Sequence, residues 1–128
     1  MKIRIKNVSI GIKSLEQGAK ELVEAVEAYQ RGRPYRKPEA DIHFESLEVL
    51  LQVLTPKRFE LLRLIRKSEP ESIYQLARAA GRDLKNVQND VALLARMDLI
   101  EISRSNARRK RVIPRVGYDR LQLQIPMS

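Results

Sequence analysis

The spacing of apolar positions changes along this chain, and each change marks an element. From Leu54 onward three helical patterns follow one another, each with its own start signal. The first opens on Thr55, whose hydroxyl can cap, with Pro56 at the first helical position, where a missing N–H costs nothing. Leu54 and Phe59 stand at the N′ and N4 positions of a hydrophobic staple. This helix should run to about Lys67, with Phe59, Leu61, Leu62, Leu64 and Ile65 inward and Glu60, Arg63 and Lys67 outward. Pro70 breaks the chain, and Ser72 with Gln75 forms a capping box that opens a short helix through Ile73, Leu76, Ala77 and Ala80, ended by Gly81. Asp83 caps a third helix in which Leu84, Val87, Val91 and Leu94 define one buried stripe, while Lys85, Asn86, Asn89 and Arg96 occupy the opposite face. Met97 to Ile100 turns the chain, Ile100 to Arg104 alternates as a strand should, and Val112-Ile113 supplies a return strand.

The N-terminal third is patterned differently. Lys2 to Lys6 alternates strictly, and Val8, Ile10 and Ile12 continue a period of two after a break at Asn7. Ser14 and Gln17 make another capping box, starting a helix whose Leu15, Ala19, Leu22, Val26 and Tyr29 form one stripe at heptad-like spacing, with Glu16, Glu21, Glu24 and Glu27 outside it. That stripe must be covered by the rest of its own chain, by a second copy or by a different protein, so Leu15, Leu22, Val26 and Tyr29 are candidate dimer or partner contacts. Gly32 to Asp41, with two prolines and several basic residues, reads as a linker or exposed loop. An apolar helix from Leu47 to Leu54 follows it. At the far end Leu121 to Ile125 alternates apolar residues with glutamine, as a strand would. Both ends of the chain thus carry amphipathic strands, which are expected to pair in one sheet, within a subunit or between two, because either alone leaves an edge unpaired.

The order helix, helix, glycine turn, helix, hairpin predicts an α+β fold of winged helix-turn-helix type. Residues 1–43 would form an N-terminal strand-helix extension and linker with a role in dimerisation, 44–117 the winged domain and 118–128 a C-terminal strand. In such a unit the second helix of the pair enters the major groove and presents its N-terminal half to base edges. Asn and Gln can bond adenine with two hydrogen bonds, and Lys can reach guanine acceptors. Lys85, Asn86 and Asn89, with Gln88 at the boundary of the face, are the expected base contacts. Ser72, Arg82, Arg96, Arg104, Arg108, Arg109, Lys110 and Arg111 are the expected phosphate or wing contacts. Each has a plainer reading, since a basic run is usually a solvated face and exposed asparagines are commonplace; only the order of elements favours nucleic acid.

Charge supports that choice. The net charge of +9 divides into +1 for residues 1 to 54, +3 for 55 to 100 and +5 for 101 to 128, so the excess lies with the helical triplet and the hairpin. Between Glu101 and Asp119 there are six basic residues and no acidic one. Other chemistries find little material. There is no cysteine and His43 is the one histidine, which excludes thiolate and multi-histidine metal sites. His43, in the approach to a helix, reads as a structural or surface residue. The five glycines are scattered singly, without a phosphate-cradling loop, and pairs such as Glu24/Glu27 or Glu45/Glu48 have the spacing of solvated helix faces. The expectation is a binding protein, not an enzyme, with no metal or cofactor. The chain has no apolar stretch of membrane-spanning length and Met1 leads directly into alternating charge, so a soluble, cytoplasmic protein without a signal peptide is expected.

The segments Phe44-Glu45-Ser46, Leu54-Thr55-Pro56-Lys57-Arg58, Leu76-Ala77-Arg78, Gly81-Arg82-Asp83, Lys85-Asn86-Val87, Asp90-Val91 and Tyr118-Asp119-Arg120 resemble a family of small archaeal and bacterial transcriptional regulators. These are winged-helix DNA-binding proteins loosely similar to the MarR group, and some serve as antitoxins beside a toxin. The similarity covers most of residues 40–126. It implies DNA binding and regulation, with no residue list to carry over; family members often have a shorter, less basic wing than Arg104 to Arg111. The combined expectation is a homodimeric, autoregulating repressor on a near-palindromic site with half-sites about 34 Å apart. The competing expectation is an antitoxin that neutralises a toxin protein through its N-terminal region. A winged helix reading RNA is a third, disfavoured by the scarcity of aromatic residues, two Phe and four Tyr.

Overall fold

The computed structural model describes residues 6–33, 40–105 and 111–127. Within these residues the fold is α+β, with five helices and five strands in the order β1 (Asn7–Ile12), α1 (Leu15–Gln30), β2 (Ile42–Phe44), α2 (Leu47–Val53), α3 (Pro56–Ser68), α4 (Ile73–Ala80), α5 (Leu84–Arg96), β3 (Glu101–Arg104), β4 (Val112–Arg115) and β5 (Arg120–Gln124). The chain divides into two compact units. One comprises Met1–Lys6 with Gln52–Arg120, the other Asn7–Leu51 with Leu121–Ser128.

The helical unit is built from helices whose start signals act as the sequence predicts. Thr55 accepts from the Arg58 N–H (3.3 Å), Ser72 from Gln75 (3.1 Å) and Asp83 from Asn86 (3.2 Å), each satisfying a backbone donor that the first turn leaves orphaned. Gly81, with φ of 64°, ends α4 in the left-handed conformation that a side chain disfavours. The core consists of Leu61, Leu62 and Ile65 from α3, Leu76 and Ala77 from α4, Val87, Val91 and Leu94 from α5, and Leu99, Ile100, Pro114 and Val116 around the hairpin. Two inward assignments need correction. Phe59 is 42% exposed and Leu84 is 38% exposed. Phe59 flanks the buried Leu61–Leu62–Ile65 stripe, and Leu84 is the first residue of its helix, one turn before the buried stripe begins at Val87.

Side chains tie the end of this unit back to its middle. Tyr118 Oη donates to the Leu99 carbonyl (2.8 Å), and burial pushes its pKa up to about 12. Arg66 donates to the Val116 carbonyl (3.3 Å) and pairs with Asp119, whose carboxylate also accepts from the Lys6 N–H (3.0 Å). That backbone hydrogen bond, followed by Arg66, holds the Asp119 carboxyl below its ordinary pKa.

The second unit is a three-stranded sheet ordered β2-β1-β5. The strands from the two ends of the chain thus lie side by side within one subunit. β1 and β2 run parallel, with Ile10 opposite Ile42, Gly11 opposite His43 and Ile12 opposite Phe44. A parallel pair needs a long crossover, and α1 lies in that connection. β2 is itself a correction: Ile42 to Phe44 read as the end of a loop and the approach to a helix, but it is a strand of three residues, too short to show alternation. Asp41 fastens it to β1, its carboxylate accepting from the Ser9 N–H (3.0 Å) and hydroxyl (3.3 Å).

Gly11 is required by this pairing, because a Cβ there would lie 2.9 Å from the Ala40 Cβ and 3.1 Å from His43 Cδ2. Gly11→Ala should therefore destabilise the sheet by about 1–3 kcal/mol through overpacking. Hydrogen exchange of the β1 and β2 amides would register it, and unchanged protection would mean that the strands can separate at little cost.

Candidate nucleic-acid interface

The N-terminal half of α5 carries the candidate base-reading residues, and its posture is set from behind by an ion pair network. Asp90, on the inner side of the helix, receives Arg58 Nε at 3.0 Å on one carboxylate oxygen and Arg82 Nη2 at 2.7 Å on the other. Arg58 reaches back from the first turn of α3 and donates through Nη1 to the carbonyls of Gln52 (2.8 Å) and Val53 (3.0 Å). The Asp90 side chain is 13% exposed and both arginine side chains are 24% exposed. Burial alone would raise the Asp90 pKa, but the hydrogen bonds and charges of Arg82 and Arg58 outweigh it and hold the carboxyl below its ordinary value. One carboxylate therefore joins the end of α2, the start of α3, the turn after α4 and the middle of α5.

On the outer side of α5, Lys85, Asn86, Gln88 and Asn89 are all exposed, and their side chains make no hydrogen bond or ion pair among the described residues. Lys85, Asn89 and Arg96 fall at helical repeats along one line, with Ala92, a residue without bulk, between them. Polar groups left unpaired on a helix that follows a tight left-handed turn are able to bond the edges of bases or phosphate oxygens.

The expected phosphate contacts fare differently. Ser72 accepts from Gln75 N, and its own hydroxyl hydrogen remains able to donate. Arg96 is exposed. Arg82 is engaged by Asp90, and its Nη1 is buried without a partner among the described residues. α4 also presents an exposed pair that its sequence pattern did not single out. Tyr74 is 58% exposed, and the Arg78 guanidinium lies over its ring, 6.0 Å from the centroid. The signal was available, since Tyr74 and Arg78 are four residues apart and off the buried stripe of α4.

β3 and β4 form an antiparallel hairpin in which Glu101 faces Arg115 and Arg104 faces Val112. Beyond the last pair, Ser105 N donates to the Arg111 carbonyl and Arg111 N to Ser105 Oγ, both at 3.1 Å. Arg104 and Arg111 are thus neighbours at the end of the ladder where the chain passes from β3 to β4, and both are exposed. Arg108, Arg109 and Lys110 lie outside the described residues. Arg115 belongs to the base of the hairpin, donating to the carbonyl of Pro70 at 2.5 Å and to that of Pro114 at 2.9 Å.

Among the described residues no helix is long and apolar enough to cross a membrane, and no group of three or more His, Asp or Glu side chains could hold a metal ion. No curated protein and no solved structure matches the chain. A family model does match it, over residues 53–123, a segment running from the last residue of α2 into β5 and covering more than half of the sequence. The chain belongs to the HVO_A0114 family.

Proposed function

We propose that this protein is a winged helix-turn-helix regulator that binds double-stranded DNA, acting in the cytoplasm as a homodimeric, autoregulating repressor. The observation that carries the reading is the unpaired polar row Lys85, Asn86, Gln88 and Asn89 on a helix whose reverse side is clamped through Asp90. Recognition benefits from such clamping, because groups fixed before binding lose less freedom on contact. In this reading α5 enters the major groove, Ser72, Tyr74, Arg78 and Arg96 meet the flanking backbone, and Arg104 and Arg111 begin a basic wing.

The test is a mobility-shift titration against the protein's own promoter fragment and a random duplex of equal length, at low and at physiological salt. The promoter should be preferred at both. Asn89→Ala should narrow that preference by about tenfold while leaving random binding nearly unchanged. Equal binding of both duplexes that vanishes with salt would leave only a basic surface and end the proposal.

A second reading, an antitoxin that neutralises a protein partner, draws on the exposure of Leu15, Leu22, Val26 and Tyr29. A toxin would occupy that face, so the occupant of α1 separates the two readings.

A further inference from the structure

α1 is a helix of 16 residues that buries none of them. Its apolar positions Leu15, Leu22, Val26 and Tyr29 are 74%, 66%, 49% and 86% exposed. With Ala19 between the first two, they recur at alternating intervals of four and three residues, the spacing of a two-helix seam. A helix this short gains little from propensity alone in water and draws its stability from whatever covers its apolar face. Three features of charge and shape specify that cover.

Charge divides unequally between the two units. The helical unit holds nineteen basic and eight acidic residues, a net charge of +11, whereas the sheet unit with α1 holds six basic and eight acidic, a net of −2. Two copies repel through the former and can approach through the latter. The rim of the seam comes next, because charges there normally select the partner. Here the middle of the rim is Gly18, Val23 and Ala25, without charge, with Val23 exposed and the two small residues half-buried. Lys20, Glu24 and Glu27 point away from the seam by their helical phase, and Glu21 is paired with Lys13. The ends of the helix set direction. Glu16 lies in the first turn while Arg31 and Arg33 follow the last, so antiparallel pairing joins opposite charges and opposite helix dipoles, and parallel pairing would set Glu16 beside Glu16.

We propose that α1 packs antiparallel against the α1 of a second copy, with Leu15, Ala19, Leu22, Val26 and Tyr29 as the seam. The pairing is isologous, so the same residues serve both sides and the assembly closes at two. Its use in recognising a two-fold DNA site rests on the regulator reading; the pairing itself does not.

The test uses the full chain without DNA. Light scattering should give twice the chain mass for the unaltered protein. Leu22→Glu combined with Val26→Glu should weaken the dimer by about a hundredfold or more, because charges would have to be desolvated in the seam. The absence of cysteine allows direction to be read by cross-linking. Leu22→Cys, near the middle of the helix, should form an intermolecular disulfide readily. Leu15→Cys should not, because at 1.5 Å rise per residue antiparallel copies of position 15 lie roughly 20 Å apart. A monomer at every concentration would overturn the proposal, as would a dimer indifferent to the double substitution, which would point to the β5 edge with its exposed Leu123 and Ile125. Cross-linking at both positions would overturn the antiparallel arrangement. If the double variant lost helix content, the cross-linking pattern would decide alone. A dimer with the expected pattern that ignored the promoter would uphold this inference and remove the regulator reading.

Discussion

Asp90→Asn should destabilise the helical unit by about 3 kcal/mol and lower its melting temperature by about 12 °C or more. The substitution keeps the shape of the side chain, so the loss comes from charge and not from a cavity. Arg58 and Arg82, each 24% exposed, would retain their charges with no carboxylate between them. Breaking a largely buried ion pair on one side is costly for that reason, even where replacing the whole group by apolar residues would be neutral. Arg82 suffers most, because its Nη1 is already buried without a partner among the described residues. Arg58 retains the carbonyls of Gln52 and Val53 and should be partly sheltered. Adding Arg82→Met to Asp90→Asn should therefore recover part of the loss, as a thermal-melt double-mutant cycle would show. A drop of less than about 2 °C for Asp90→Asn would mean that both arginines find other partners and that the clamp does not hold α5.

The same carboxylate gives the unit a defined response to acid. Its pKa is lower in the folded chain than in the unfolded one. The unfolded chain therefore takes up a proton first as pH falls. The stability contributed by Asp90 is present above the ordinary carboxyl range of about 4 and is lost as pH falls through that value toward the lower folded one. Asp90→Asn should accordingly flatten the acid side of the stability curve, while Asp119, the other carboxylate held low in this unit, leaves some slope in place.

How much of this arrangement could be read beforehand depended on how far apart the interacting residues lie. α1, α3, α4 and α5 each begin on a cap bonded three residues ahead, so their starts were visible in short windows of sequence. The pairing of β1 with β5 could be anticipated because both strands alternate and each needed a partner. β2 could not, since three residues carry no period and its parallel partner lies across α1. The Asp90 clamp was hidden for a similar reason. Arg58 is 32 residues away, and Asp90 falls within the inward stripe of α5 as the one polar residue, a place that periodicity alone reads as an error or a solvated edge. The pairing of Arg82 was hidden with it: from sequence a basic residue just before a helix reads as facing solvent or a ligand, whereas here the carboxylate eight residues on engages it. The outward polar row of α5 was legible because exposure follows directly from helical phase.

On the proposed regulator reading, Arg104→Gln together with Arg111→Gln should weaken binding to promoter and random duplex alike, by roughly a hundredfold at low salt if each arginine donates one charged hydrogen bond to phosphate worth about 1.5 kcal/mol. The two residues are adjacent at the end of the β3–β4 ladder and exposed, so removing their charge should leave the fold and its melting temperature unchanged. The mechanism predicts a second signature. Each phosphate contact releases condensed counterions, so the slope of log affinity against log salt should become shallower by about 2 when two contacts are lost. Preference for the promoter should survive, because base edges and not phosphates carry sequence, and this separates the wing from Asn89, whose loss should narrow preference with little change in slope. An unchanged slope would show that Arg104 and Arg111 face solvent in the complex. A slope change confined to the promoter would mean that the hairpin reads sequence, in the minor groove or through DNA shape, and the division of labour between α5 and the wing would have to be redrawn.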